Sequence, residues 1–260
     1  MLAIERKNEI LATLQKEQSV LVSELSQKYD VTEETIRRDL DKLEKEGFVK
    51  KTYGGAVLNQ NMNVDLPLKI RQKTNIKEKQ AIADVMENLI GDGETIMLDS
   101  SSTSLMIAGR IKQRKQLTVI TNSVEILIEL ANAKSIHVIS TGGVLRDSSL
   151  SLGGKNAERT LKNFFVDKAI LSCKGFDMEK GATDSNELEA EIKGTMRECA
   201  KTVIWVVDSS KFDKVAFARI DGVQKGDIVV TNSGVSDAWR EFFEKKGAAL
   251  YEGIVSEETK

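Results

Sequence analysis

Two adjacent arginines, Arg37 and Arg38, stand in the stretch "VTEETIRRDLDKLEKEG" that begins at Val31. A guanidinium group offers paired donors that match guanine edges and phosphate oxygens, so an exposed pair on a helix can bind DNA. The stretch "VKKTYGGA" follows, and it suits phosphate contact because glycine lets a backbone approach closely. The candidate DNA-binding residues are Thr32, Thr35, Arg37, Arg38, Lys42, Lys50, Lys51, Tyr53 and Gly54.

The helix that would present these arginines has a defined start and an apolar side. Thr32 is the predicted N-cap, and Ile36, Leu40 and Leu43 form one apolar stripe at helical spacing. A short helix and the turn "YDV" precede it, which is the spacing of a helix-turn-helix whose second helix enters the major groove. The alternative is a solvated helical hairpin whose arginines face water. The ordered series of turn, helix and basic hairpin favours DNA binding.

A second set of polar residues follows apolar runs that are typical of buried strands. "SSSTS" after "TIMLD" supplies hydroxyl groups at a predicted helix start, and "TGGVLR" after "IHVIS" supplies two glycines and Arg146. Free N–H groups, hydroxyls and a guanidinium group together can bind a phosphorylated polar ligand. The alternative is that each loop is an ordinary turn or helix cap. Further candidates at these strand ends are Ser102, Thr121, Asn122, Ser123, Gly153, Lys174 and Lys211.

The elements that carry these residues divide the chain. The first sixty residues predict three helices and a hairpin, with Ile4 and Ile10 on the buried side of the first helix and Ser23 capping the second. From Glu94 onward, β-rich runs alternate with helical ones, which predicts a mostly parallel sheet covered on both faces. The predicted strands are residues 95–99, 117–121, 136–140, 168–172, 202–208 and 228–231. The predicted domains are 1–58 for DNA binding, a linker at 59–75, and 76–260 for the α/β domain.

Composition limits the functions that remain. The 260 residues carry a formal net charge of −2, and no apolar run is long enough to span a membrane. The start of the chain is too charged for a signal peptide, and Cys173 and Cys199 without a pairing motif indicate a reducing cytosol. The single histidine, His137, lies in an apolar run, and we expect it in a strand or core position. The sequence predicts no metal ligands.

Together the motifs resemble the DeoR-type family of bacterial sugar-metabolism repressors. The resemblance rests on "VTEETIRRDLDKLEKEG" and "YGGA" in the first domain and on "LDSSSTS", "VITNS", "STGGVLR" and "DSSKF" in the second. It implies a winged helix-turn-helix followed by a Rossmann-like α/β domain that resembles ribose-phosphate isomerases and senses sugar phosphates. The effector-site residues that the resemblance implies are Asp99, Thr103, Asn122, Gly142, Gly143, Arg146, Lys174 and Lys211.

One position departs from the family's pattern. Ser101 stands where the family usually has glycine in its Asp-x-Gly loop. A left-handed backbone is harder for serine, so we expect a differently shaped loop. "LSCKGFD" and "TDSNE" are similar to regulators of rhamnose catabolism, which implies rhamnulose 1-phosphate as the effector.

The favoured hypothesis is a cytoplasmic transcriptional regulator, a repressor by its resemblance. It would bind double-stranded operator DNA as a homodimer or homotetramer and respond to a phosphorylated sugar. The first alternative is a sugar-phosphate isomerase-like enzyme that carries a DNA-binding domain, with Asp99, Asp184 or Glu187 as its base. The second is a DNA-binding protein whose α/β domain only forms oligomers. The favoured hypothesis needs no catalytic residue and no cofactor.

Overall fold

The computed structural model describes residues 2–59 and 66–255, which form two compact units, Met1–Thr74 and Asn75–Lys260. Residues 60–65 of the predicted linker and 256–260 of the predicted α/β domain lie outside the described residues. The elements of the first unit are α1 (Ala3–Glu17), β1 (Ser19–Leu21), α2 (Val22–Tyr29), α3 (Glu33–Lys45), β2 (Val49–Thr52), β3 (Gly55–Leu58) and α4 (Leu68–Gln72).

The first unit is a helix-turn-helix with a β-sheet wing. Thr32 is the N-cap of α3 as predicted, because its Oγ1 accepts a hydrogen bond from the backbone N of Thr35 at 3.3 Å. Caps of this kind contribute about 1 kcal/mol to a helix. The buried residues of its core come from every element, and they are Ile10, Leu11, Leu14, Val20, Val22, Leu25, Ile36, Leu40, Leu43, Val49, Ala56 and Ile70.

Three details of the first unit differ from the sequence prediction. Ile4 is 60% exposed, because α1 begins only at Ala3 and its first turn lies beyond the core. Ser23 lies inside α2 rather than at its cap, since the preceding residues are already extended in β1. That strand pairs antiparallel with β3, so the wing is a three-stranded sheet in the order β1–β3–β2.

The range predicted as a linker contains helix α4. Leu68 and Ile70 of this helix are buried, and Ile70 joins the core of the first unit, where α4 packs against α1. The compact units divide between Thr74 and Asn75. The predicted domains, 1–58 and 76–260 with a linker at 59–75, stay a prediction.

Within residues 75–255, seven parallel strands form one sheet in the order β15–β14–β12–β9–β4–β5–β6. Its strands are β4 (Thr95–Leu98), β5 (Leu117–Thr121), β6 (Ile136–Ser140), β9 (Val166–Leu171), β12 (Ala200–Val206), β14 (Ile228–Asn232) and β15 (Ala249–Gly253). The remaining strands are β7 (Val144–Arg146), β8 (Ser151–Gly153), β10 (Gly175–Asp177), β11 (Gly181–Asp184) and β13 (Ala218–Asp221).

Helices cover both faces of this sheet. They are α5 (Ile76–Leu89), α6 (Ser102–Arg110), α7 (Val124–Leu130), α8 (Lys155–Leu161), α9 (Glu187–Glu198) and α10 (Asp237–Lys246). Successive strand residues alternate between two cores, so Ile96 packs with α5, α6 and α7 while Met97 packs with α8, α9 and α10. This alternation is the pattern expected of a parallel strand buried on both sides.

The strand order reverses direction at β4 and β9. From β4 the chain proceeds through β5 to β6 on one side, whereas β9, β12, β14 and β15 extend the sheet on the other. Ligands of open α/β sheets bind outside the carboxyl ends of the strands at such a switch point. The residues after β4 and β9, among them Asp99 and Ser172, therefore lie where a ligand crevice is expected.

The six predicted strands are confirmed, with ends shifted by at most two residues. The short strands β7, β8, β10, β11 and β13 and the edge strand β15 were missed. His137 lies in edge strand β6, as the strand alternative predicted, but its side chain is exposed rather than in the core. Among the described residues, every helix is too short or too polar to cross a membrane.

Candidate functional site

The second helix of the helix-turn-helix, α3, presents two exposed arginines. Arg37 Nη2 lies 2.6 Å from Glu33 Oε2, and Arg38 Nε lies 3.3 Å from Glu34 Oε1. The arginine side chains are 52% and 74% exposed. Exposed pairs one helical turn apart contribute only about 0.3–0.5 kcal/mol, so a phosphate or a guanine edge can replace either glutamate at little cost. Lys42 lies exposed one turn further along the helix.

A buried ion pair fixes α3 against α1. Arg6 Nε donates to Asp39 Oδ2 at 2.6 Å, and both side chains are buried. Thr32 and Thr35 stand at the start of α3 with their hydroxyl oxygens 3.0 Å apart. The helix start that would enter the groove is therefore held in position from the core side.

The wing carries the remaining candidates for DNA contact. Lys50 is exposed, and Tyr53 is fully exposed at the turn between β2 and β3 beside Gly54, whose φ is 84°. Lys51 Nζ instead pairs with Asp41 of α3, and this hydrogen bond raises the pKa of the Lys51 ammonium. The candidate DNA-binding residues thus lie on α3 and the wing of one unit. Their contact with DNA stays a prediction.

In the α/β unit, a buried lysine occupies the switch point of the sheet. Lys193 Nζ of α9 lies 2.6 Å from Asp184 Oδ2 and 3.4 Å from Asp99 Oδ2, and all three side chains are buried. Burial alone would lower the pKa of the Lys193 ammonium, but Asp184, Asp99 and Glu189 outweigh it and raise the pKa. The charge of Lys193 therefore offsets part of the negative charge of the two aspartates inside the protein.

Asp99 holds together the loops that follow β4 and β9. Its Oδ1 accepts hydrogen bonds from the backbone N of Ser101 at 3.1 Å and from Ser104 Oγ at 2.6 Å. Its Oδ2 accepts one from the backbone N of Ser172 at 2.8 Å. Asp99 is thus engaged by internal donors and by Lys193. This predicted effector residue is fully buried and joins the two loops, and it does not line the cavity described below.

The hydroxyl-rich loop has an ordinary backbone at Ser101. Its φ of −81° and ψ of 156° are extended, and its Oγ accepts from the backbone N of Ser104 at 3.0 Å as the N-cap of α6. The left-handed conformation that would have disfavoured serine is not adopted here. Ser102 and Thr103 follow in the first turn of α6, and both are buried.

A second buried carboxylate, that of Glu189 in the first turn of α9, collects donors from two of the predicted anion-binding loops. Its Oε2 accepts from Ser100 Oγ at 2.8 Å. Its Oε1 accepts from Ser149 Oγ at 3.0 Å and from Ser151 Oγ, and Arg146 Nη1 lies 3.7 Å away. Both the loop after β4 and the hairpin β7–β8 therefore converge on one carboxylate of the protein itself.

A cavity of about 370 Å³ opens beside this carboxylate, under the hairpin β7–β8. Asn122 is buried in its wall and donates from Nδ2 to the Leu152 carbonyl at 3.2 Å, so its Oδ1 faces away from that carbonyl. Within residues 2–59 and 66–255, Asn122 Oδ1 has no hydrogen-bond partner. The lining residues are Asn122, Val144, Leu145, Arg146, Ser151, Leu152, Gly153, Gly154, Leu188, Glu189 and Ile192.

The glycines before the hairpin allow its two ends to meet. Gly143 has a φ of 115°, and a Cβ atom there would lie 2.5 Å from the Gly153 carbonyl oxygen. Gly142 also has a positive φ, of 63°. No other residue type fits at Gly143 without moving the hairpin. The predicted residues Gly142, Gly143 and Gly153 thus shape the cavity mouth.

Two predicted residues after β5 serve mainly local structure. Thr121 Oγ1 donates to the Leu98 carbonyl at 2.7 Å and accepts from the backbone N of Ser123 at 3.1 Å. Ser123 caps α7 through the backbone N of Ile126 at 3.3 Å. For these two positions, the interpretation as caps and turns accounts for the observed hydrogen bonds, and they do not line the cavity.

The loop after β12 contains a buried aspartate, Asp208, and does not line the cavity under the hairpin β7–β8. Burial alone would raise the pKa of Asp208, but Lys211, the Ser210 hydroxyl, Lys79 and Asn75 together lower it. Asn75 Nδ2 donates to Asp208 Oδ1 and to Ser210 Oγ, each at 3.0 Å. Predicted residue Lys211 thus contributes charge to this loop. Lys174, after β9, is half-buried and its backbone N donates to the Thr183 carbonyl at 2.8 Å.

The sequence prediction missed Glu189 and Lys193. Both lie on α9 in "ELEAEIKGTMRE", whose alternating charges are typical of a solvated helix. Their spacing of four residues puts them on the same face as Ile192, which is the only signal that could have indicated burial. The two aspartates proposed as enzyme bases, Asp99 and Asp184, are both ion-paired with Lys193, and Glu187 is exposed on α9.

Comparisons with known proteins agree with this arrangement. Residues 6–62 match a family model described as the DeoR-like helix-turn-helix domain, and residues 74–233 match the DeoR C terminal sensor domain. The HTH-type transcriptional regulator YulB of Bacillus subtilis is 44% identical over 92% of this chain and 92% of its own length. The transcriptional repressor AccR of Agrobacterium fabrum is 32% identical over 88% and 90% of the two chains. The L-fucose operon activator of Haemophilus influenzae is 31% identical over 91% and 94%.

Among solved structures, ribose 5-phosphate isomerase A from Methanocaldococcus jannaschii aligns with a TM-score of 0.41 and 17% identity, over 54% of this chain and 55% of its own. The named relatives are regulators of transcription, in keeping with the interpretation of a regulator rather than an enzyme. With both family models matched in order and relatives aligned over most of their length, this chain belongs to the DeoR family of transcriptional regulators.

Proposed function

We propose that this protein represses a sugar-catabolism operon and releases its operator when a phosphorylated sugar binds in the α/β sensor domain. The observation that carries the proposal is the cavity under the hairpin β7–β8. Arg146 and Asn122 both line this cavity, and the buried amide oxygen of Asn122 lacks a hydrogen-bond partner among the described residues. An anionic group of a ligand could bind the Arg146 guanidinium, and a hydroxyl group could donate to Asn122.

The cavity also has an apolar side, which supports a narrower ligand class. Val144, Leu145 and Leu188 line it and are 75%, 50% and 48% exposed without a ligand. A methyl group on the sugar would cover part of this surface, at about 25 cal/mol per Å² of apolar area removed from water. A 6-deoxy sugar phosphate carries such a group. We therefore propose rhamnulose 1-phosphate as the effector, in agreement with the sequence resemblance.

Repression follows the same scheme. A homodimer or homotetramer would present α3 of two protomers to two half-sites of an operator, since paired recognition helices match a two-fold sequence. The effector must bind the arrangement that cannot hold DNA more tightly than the arrangement that can. AccR is named a repressor and the L-fucose regulator an activator, so the sign of regulation is part of what must be measured.

Fluorescence anisotropy on labelled DNA from upstream of the protein's own gene and neighbouring genes tests the proposal. We expect specific binding that rhamnulose 1-phosphate, but not unphosphorylated rhamnulose, reverses. Binding that none of a panel of sugar phosphates disturbs would refute the sensor assignment while keeping the winged helix. Turnover of a ketose or pentose phosphate by the purified protein would instead support the isomerase-like alternative.

The DNA-binding assignment gives a separate prediction. Arg38→Ala should weaken operator binding by about 1–3 kcal/mol if the guanidinium group contacts a base edge. If it contacts only phosphate, the loss is smaller and the slope of log K against log[salt] falls by about one. Fluorescence anisotropy at a series of salt concentrations distinguishes contact with a base edge from contact with phosphate alone. Lys69→Ala on α4 removes an equal charge outside the helix-turn-helix and is the matched control. An equal loss in both variants would contradict a specific role for Arg38.

A further inference from the structure

The buried carboxylate of Glu189 accepts hydrogen bonds from a cluster of donors at the cavity beside Arg146. Three serine hydroxyls, from Ser100, Ser149 and Ser151, donate to it, and Arg146 Nη1 lies 3.7 Å away. Hydroxyl groups from two loops beside a guanidinium group are a donor set that suits phosphate oxygens. In this structure the same donors are satisfied by a carboxylate of the protein.

An incoming phosphate would compete with this carboxylate. Glu189 lines the same cavity as Arg146, so a phosphate that reaches the guanidinium group comes within contact range of the Glu189 oxygens. Two like charges in a poorly hydrated site repel strongly, and one of them must leave or be neutralised. Glu189 lies in the first turn of α9 beside Asn186, the N-cap. The Glu189 side chain joins this first turn of α9 to Ser100, Ser149 and Ser151. Its displacement would free the three serines and, because these contacts are lost, loosen the start of the helix.

Asn122, which lines the same cavity, carries a buried oxygen that a ligand hydroxyl could satisfy. Asn122 is 1% exposed, and its Oδ1 lacks a hydrogen-bond partner within the described residues. A buried unsatisfied acceptor costs about 1–3 kcal/mol, which a hydroxyl donor on the ligand would recover. The carboxylate can stand in for the anionic part of a ligand, but it cannot donate to Asn122.

We propose that Glu189 is an internal competitor that fills the anion subsite of the effector-free sensor domain and is displaced by the phosphate group of the effector. The inference rests on the proposed function, because it places the effector's phosphate among Ser100, Ser149, Ser151 and Arg146. It assigns to Glu189 control over how tightly anions bind: a ligand with further contacts, such as one to Asn122, displaces the carboxylate at low concentration. A free inorganic anion has few such contacts, so it displaces Glu189 only at high, saturating concentration.

Isothermal titration of the full-length protein with inorganic phosphate tests this competition. Glu189→Gln keeps the size of the side chain and removes its charge, so phosphate affinity should rise at least about tenfold over the unmodified protein. Glu191→Gln removes an exposed carboxylate from the same helix and should leave affinity unchanged. Unchanged or weaker phosphate binding by a folded Glu189→Gln protein would overturn the proposal, since it would make Glu189 a bystander or a direct ligand contact.

Hydrogen–deuterium exchange on the unmodified protein supplies a second measurement if the variant does not fold. Saturating inorganic phosphate should increase exchange of the backbone amides at the start of α9, because displacement of Glu189 loosens that turn. Unchanged or decreased exchange there would overturn displacement. Neither measurement requires the correct sugar or an operator. The two proposals can therefore fail separately. These measurements can refute displacement of Glu189 even if a sugar phosphate releases the operator, and they can support it even if no sugar phosphate does.

Discussion

Replacing Lys193 with methionine should destabilise the sensor domain by about 3–5 kcal/mol, the cost of leaving buried carboxylates without their counter-charge. The ammonium group lies 2.6 Å from Asp184 and 3.4 Å from Asp99, and the three side chains are shielded from water. Methionine fills a similar volume, so the loss would report charge rather than packing. Urea unfolding followed by tryptophan fluorescence measures it, because both tryptophans, Trp205 and Trp239, are buried in this unit.

Two further variants define what that result means. Lys245→Met, on the exposed face of α10, should change stability by less than about 0.5 kcal/mol. Asp184→Asn added to Lys193→Met should recover part of the loss, because it removes one of the two uncompensated charges. A loss under about 1 kcal/mol for Lys193→Met would show that water reaches the aspartates and that the buried cluster is not a dry one.

The same cluster predicts how stability depends on alkaline pH. The pKa of Lys193 is raised in the folded protein above the ordinary value of 10.5. A group with a raised folded pKa contributes its full stabilisation below the unfolded pKa and loses it as pH rises through the folded value. The contribution of Lys193 is therefore complete at neutral pH and declines only above about pH 10.5.

Arg146→Ala should shift release of the operator to much higher concentrations of sugar phosphate while leaving operator affinity nearly unchanged. Charge-assisted hydrogen bonds contribute about 1.5–3 kcal/mol each, so loss of the guanidinium group should weaken effector binding by about 10- to 150-fold. Operator affinity should persist because Arg146 lies in the sensor unit and the DNA-binding candidates lie on α3 and the wing. Anisotropy with labelled operator and titrated effector measures both quantities in one experiment.

Arg110→Ala is the matched control for that variant. Arg110 ends α6, opposite to the end that borders the crevice, and pairs with Asp84 of α5. Its removal should leave both operator affinity and effector response unchanged. If a folded Arg146→Ala protein instead loses operator binding, DNA and effector do not act at separate sites, and the assignment of the two sites is wrong.

Much of the architecture was predictable because periodic apolar patterns report burial directly. The stripe of Ile36, Leu40 and Leu43 gave α3, and Thr32 gave its start. Continuous apolar runs predicted six of the seven strands of the sensor sheet. The short strands, such as Ser19–Leu21 and Ser151–Gly153, could not be predicted, because three residues carry no pattern of their own and depend on a partner strand.

The site was only partly predictable for a related reason. The predicted effector residues Arg146 and Asn122 do line one cavity, because polar groups after strands meet at one edge of a parallel sheet. Glu189 and Lys193 were missed because charged residues on a helix are normally solvated, and only the fold shows that these two are buried. Thr121 and Ser123 were interpreted as ligand contacts, whereas the structure uses their hydroxyls to fix the loop and cap α7.

Asn75 has a consequence for how such proteins can be recombined. It is the first residue of the sensor unit, its φ of 50° is in the left-handed region, and its amide donates to the loop after β12. The start of α5 is therefore secured by a contact made wholly within the sensor unit, whatever sequence precedes it. The peptide bond between Thr74 and Asn75 is therefore a suitable position for joining the sensor unit to another domain in a chimeric protein. A different DNA-binding domain joined ahead of Asn75 would leave these contacts of the sensor unit in place.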